Sequence, residues 1–169
     1  MKTSLKLFAL GLVLAGFGMN ANAQNSVNNN ATAVVKKALT ITKGSDLSFG
    51  TFSGLSDGIS TVIMSNAGAR TGTADLIGTD GGAGTFSITG EPSQQVAITL
   101  PASATTLSDG ASHTMTIAAA SYNCDKTIAG VALDGSGNLT ISVGATLSVG
   151  NNQNAGSYTG TFAVSVNYN

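Results

Sequence analysis

Hydrophobic and polar positions alternate without a break over the last thirteen residues, SYTGTFAVSVNYN. Tyr158, Gly160, Phe162, Val164, Val166 and Tyr168 hold one phase; Ser, Thr, Ala and Asn hold the other. A period of two puts successive side chains on opposite faces of a β-strand. The aromatic and β-branched content suits a strand as well. Residues 157–169 are therefore predicted to form one long strand that closes the fold, with Tyr158, Phe162, Val164, Val166 and Tyr168 facing the core.

The same period recurs upstream. Over residues 138–149, Leu139, Ile141, Val143, Ala145, Leu147 and Val149 alternate with polar or small residues, and Gly144 is expected to bend or split the strand. Residues 61–64, 85–89, 95–100 and 113–119 alternate over shorter spans. In DLSFGTF, residues 46–52, Leu47 and Phe49 share a face, and Gly50 slips the phase so that Phe52 rejoins it, as a bulge does. Towards the N-terminus, Ala31, Ala33, Val35, Leu39 and Ile41 share a phase, and Lys36-Lys37 marks an edge or a break. Asp57-Gly58, Asp80-Gly81, Asp109-Gly110 and Asp134-Gly135 punctuate these runs as turn dipeptides. No window carries a helical apolar stripe, and no fixed repeat is present. The pattern predicts an all-β protein, a sandwich of about eight to ten strands.

Composition changes the picture at three points. Residues 1–23 have a charged start (Lys2, Lys6), a short apolar run and Ala21-Asn22-Ala23, the three parts of a cleaved secretory signal. The remainder, 24–169, has the size of a single domain, with 24–35 a loose, Asn-rich extension. Without Lys2 and Lys6 that part carries five basic residues against eight acidic ones, a net charge of −3. So little basic charge argues against nucleic acid or an anionic membrane as a partner. Thirdly, the lone Cys124 has no intramolecular partner, so it is either an intermolecular linker or, as expected here, buried or half-buried.

Sites of chemistry are sparse. Gly54-Leu55-Ser56-Asp57-Gly58 matches a nucleophile-elbow pattern, but a strand rather than a helix is predicted after it. His113 is the only histidine and lies in a strand pattern, with no second histidine to share a metal. Asp134-Gly135-Ser136-Gly137-Asn138 lacks the remaining ligands of a calcium loop and reads as a hairpin turn. Residues 78–84, GTDGGAG, have neither the lysine nor the following helix of a phosphate cradle. The expectation is a non-enzymatic protein with no catalytic residue, cofactor, metal or small-molecule substrate.

Three stretches carry a resemblance: DLSFGTF (46–52), LDGSGNLTISVGATLSV (133–149) and AGSYTGTFAVSVNYN (155–169). They resemble a family of secreted bacterial domains of unknown function. Members of that family are similar to fimbrial subunits of the Mat/Ecp common-pilus type and, more distantly, to spore-coat-U-like archaic pilins. The resemblance implies an immunoglobulin-like antiparallel β-sandwich, exported to the periplasm, cell surface or medium. It implies self-association into a homopolymer, served by a periplasmic chaperone and an outer-membrane usher. In such pilins each subunit lacks a strand, and the N-terminal extension of the next fills the gap by β-strand addition. Here the donor would be Val27, Ala31, Ala33 and Val35, which share one phase. The alternative is a self-complete, monomeric secreted binding module in which residues 31–41 form the first strand of their own sheet.

Overall fold

The computed structural model describes residues 25–169, so the expected signal segment, 1–23, lies outside the described residues. The chain divides into two units, Met1–Val34 and Val35–Asn169. Within the first, residues 25–34 hold no strand, and Val27 and Val34 are 92% and 88% exposed. The second unit contains every strand found among the described residues.

Its elements run β1 (Thr40–Lys43), β2 (Thr51–Ser53), β3 (Ser60–Met64), β4 (Arg70–Gly72), β5 (Asp75–Ile77), β6 (Gly84–Thr89) and β7 (Gln95–Thr99). Then come β8 (Thr105–Ser108), β9 (Thr114–Ile117), β10 (Asn123–Cys124), β11 (Val131–Ala132), β12 (Asn138–Val149) and β13 (Ser165–Tyr168). Eight of these have four residues or more, and all pairings between them are antiparallel. The protein is an all-β sandwich with no α-helix among the described residues.

The twelve-residue β12 is the spine. Its first half pairs with β6, from Asn138↔Thr89 to Val143↔Gly84. Its second half pairs with β3, from Ala145↔Met64 to Val149↔Ser60. β9 and β10 also pair with it. The changeover comes at Gly144, which neither splits nor ends the strand. A Cβ there would overlap the Met64 carbonyl oxygen and lie 2.6 Å from Asn66 N, so the glycine lets another backbone cross close by. Ile141, Val143, Ala145, Leu147 and Val149 are buried as their phase predicts, together with Val62, Met64, Ile88, Val96, Met115 and Ile117. Gly50 has a φ of +66°, in keeping with the phase slip read there; Phe49 is buried and Phe52 half-buried.

Several predicted strands are shorter in the fold; of residues 46–52, expected to form one, only Thr51 and Phe52 lie in a strand, with Ser48 in an isolated bridge. β1 begins only at Thr40, and residues 31–38 before it are exposed and unpaired into any strand. Ala31 and Ala33 offer a core only methyl groups, which makes their alternation a weak driver of burial. At the other terminus the alternation continues through 158–168, but the ladder with β7 covers only Ser165–Tyr168. Above it there is one isolated bridge, Ser108↔Thr159. Tyr158, Phe162, Val164, Val166 and Tyr168 pack against the core and are only half-buried. Phe162 meets Phe86 edge-on at 6.2 Å and Tyr122 at 5.2 Å.

Candidate functional site

The direction of each segment comes from its pairing. Residues 40–54 run along β12 from its Asn138 end, where Thr40 faces Thr89, to its Val149 end, where Gly54 lies against Val149. Residues 157–169 run the opposite way. Near the Asn138 end these two segments touch, β1 against β13. The Tyr168 hydroxyl fastens them: it donates to the Lys37 carbonyl (2.8 Å) and accepts the Glu91 N–H (2.6 Å). The Lys37 N–H donates to the Glu91 carboxylate at 3.0 Å, and Lys36 Nζ sits 5.7 Å from the Tyr168 ring centroid. Gly90 makes room for this clasp, because a Cβ there would strike the Tyr168 hydroxyl.

Towards the Val149 end the same two segments stand apart and line a groove of about 900 Å³. Residues 46–54 form one wall and 153–160 the other; Leu107, Met115, Leu147, Val149 and Phe162 lie between. In the first wall β2 is extended and Ser48 bridges to Gly82; the second wall turns at residues 151–156 before Thr159 bridges to Ser108. Residues 160–164 make no backbone hydrogen bond among the described residues, and β2 is paired only with β5. An extended edge beside apolar side chains is what a further strand requires.

The second wall is held by side chains. Tyr158 donates its hydroxyl proton to the Asn154 carbonyl and accepts from Gln153 Nε2, both at 2.8 Å. His113 Nδ1 lies 2.6 Å from Asp109 Oδ2, and its Nε2 is 2.9 Å from Asn154 Nδ2. The lone histidine is thus tied into the β8–β9 turn and the groove rim. Ser56 lies in an exposed loop, and strand β3 comes after it. Asp134 accepts the N–H groups of Ser136 and Asn138, both at 2.8 Å, so its carboxylate serves the turn. Cys124 is half-buried in β10, and burial pushes its thiol up from the usual range, which disfavours the reactive thiolate.

Three of the aspartates read as turn residues are held below the ordinary carboxylate range. The Thr51 hydroxyl does this chiefly for Asp80, the His113 ring for Asp109, and the N–H groups of Asn138 and Ser136 for Asp134. A depressed folded-state pKa contributes stability that is fully present above the unfolded value and is lost as pH falls through the folded one. The melting temperature is therefore expected to drop on acidification below the ordinary aspartate range, and the drop should be shallower in Asp134→Ala. Superimposable acid limbs for the two proteins would contradict this.

The predicted residues divide between two places. Tyr158 and Phe162 line the groove; Tyr168 forms the clasp at its closed end. Val27, Ala31, Ala33 and Val35 are exposed and lie in no strand. Leu107 and Arg70 were not singled out by sequence reasoning, and Met115 only as an apolar position of the 113–119 strand pattern. Of the first two, only Arg70 carried a signal, as the one arginine in a chain poor in charge.

The fold is an all-β sandwich with a groove between residues 46–54 and 153–160. The chain belongs to the family described as a domain of unknown function (DUF4402), whose model matches residues 39–168. No curated protein matches it.

Proposed function

We propose that this is an exported, non-enzymatic structural protein, a fimbria-like surface subunit that assembles by β-strand addition. The groove between walls 46–54 and 153–160 carries the reading. It sets β2, paired only with β5, and the unbonded backbone of residues 160–164 beside apolar side chains, surroundings suited to an extended strand. The nine residues 27–35 match the nine of the first wall in length, and Val27, Ala31, Ala33 and Val35 would present one face. The arm's root, Lys36-Lys37, is clasped near the Asn138 end of β12, whereas the groove opens near the Val149 end. Twelve strand residues separate those ends by roughly 36 Å. An arm leaving one end and a groove at the other form a heterologous pair of surfaces, which propagates into an open chain of copies. A chaperone and an usher would serve to cover the groove and export the chain.

Purified protein run on a gel in cold SDS should give a ladder of multimers that collapses on boiling. Ala31→Asp/Ala33→Asp in the full chain should leave monomer only, with an unchanged melting temperature. A wild-type protein that stays monomeric at high concentration would overturn assembly and leave the self-complete binding module.

A further inference from the structure

One wall of the groove is shaped by a side chain from a different sheet. Arg70, at the start of β4, has a side chain only 8% exposed. Its Nη1 donates to the carbonyls of Phe49 (3.2 Å) and Thr51 (3.1 Å) and reaches Asp80 Oδ1 at 3.4 Å. Its Nη2 donates to the carbonyls of Ile77 (2.9 Å) and Gly78 (2.7 Å). A single planar guanidinium therefore collects four backbone carbonyls and a carboxylate. Between two of those carbonyls sits Gly50, at a φ of +66°. A Cβ on Gly50 would collide with Nη1 and with the Asp80 carbonyl, so the guanidinium occupies the space a side chain would need. Asp80 completes the joint by accepting the Thr51 hydroxyl at 2.8 Å.

We infer that Arg70 is the positioning residue of the groove: it draws the Phe49 and Thr51 carbonyls away from the opening and thereby sets the path of the wall that an incoming strand meets. This rests on the strand-addition reading for its consequence, but not for its geometry. Four carbonyls facing one another on adjoining segments repel unless a cation sits among them. Lysine cannot replace the arginine here, because a compact ammonium with three donors does not span a fork of five acceptors. A second feature points the same way. β2 has three residues and one partner strand, so its own ladder is too short to fix its course.

The test uses the full chain carrying Ala31→Asp/Ala33→Asp as acceptor, so that its own arm does not compete. The probe is a synthetic peptide of residues 24–36. Arg70→Lys should weaken peptide binding at least tenfold. It should also speed amide exchange at residues 48–53 at least tenfold while β6 and β12 keep their protection. Asp80→Asn, a change at a half-exposed carboxylate, should move both readouts in the same direction and decides the matter if Arg70→Lys does not fold. Unchanged peptide affinity in both variants would overturn the inference, as would exchange that rises evenly over the domain. If the peptide binds no version of the protein, the strand-addition reading fails; the exchange pattern at residues 48–53 then decides the role of Arg70 alone.

Discussion

Gly144→Ala is expected to cost about 3 kcal/mol or more, a large share of the roughly 5–15 kcal/mol that holds a domain of this kind together. Alanine is ordinarily a better strand residue than glycine, so propensity alone points to a gain. The surroundings reverse the sign. A Cβ at this position meets backbone, with the Met64 carbonyl oxygen overlapped and Ser65 C and Asn66 N at 2.6 Å. A side chain in the way could swing to another rotamer, but a main chain held by ladder bonds on either side cannot. β3 would have to part from β12 where Met64 faces Ala145, just where β12 passes from β6 to β3. At this chain length the loss corresponds to a fall of about 6–12 °C in melting temperature. A midpoint within about 2 °C of wild type would mean that β3 can move aside freely.

The second large effect is expected at Ile88. It is fully buried in β6, between Ile41 of β1 and Leu139 of β12. Ile88→Ala removes three carbons from a close-packed site and leaves a cavity, for a cost of about 2–5 kcal/mol. Ile77 in β5 is the control, the same residue type in a strand but 53% exposed. Ile77→Ala should change stability by no more than about 0.5 kcal/mol. Chemical denaturation of the two variants side by side makes the comparison, and similar midpoints would refute the assignment of the core to the β6–β12 interface.

Period two was a faithful guide to faces and a poor guide to partners. β12, β6, β3 and β7 all lie where their alternation put them, because each has a core-side row of Val, Ile, Leu or Met large enough to fix the register. The closing segment shows the other side of this. Phe162 and Val164 keep the phase of the strand that ends at Tyr168, yet their backbone is unpaired. Side-chain alternation reports which way residues point and contains nothing about whether a neighbouring strand exists. β4, β5, β8, β10 and β11 are not legible in the pattern. With two to four residues each, built of Thr, Asp, Gly, Ala and Asn beside one or two larger side chains, they are too brief to display a period. The groove was illegible for a further reason, since its walls come from residues 46–54 and 153–160, about a hundred positions apart. Its closest sequence trace was Gly50, read as a bulge, but the guanidinium that occupies the missing side chain's place lies on another strand and left no spacing to find.

The clasp at Tyr168 has a mechanical consequence. Tension applied at Val35 enters the domain through Lys37, whose N–H and carbonyl are tied to Glu91 and to Tyr168. The pull then runs along β1, whose four pairs with β6 lie across the direction of force. Bonds loaded in that geometry are sheared together, whereas a hairpin peeled from its tip gives them up singly. Because Tyr168 ends the segment that begins at the groove, the strands at both ends of the domain share the strain at one joint. A domain anchored at the Val149 end and drawn from Lys36-Lys37 would therefore resist as a single rigid link, yielding only when the whole β1 ladder ruptures at once.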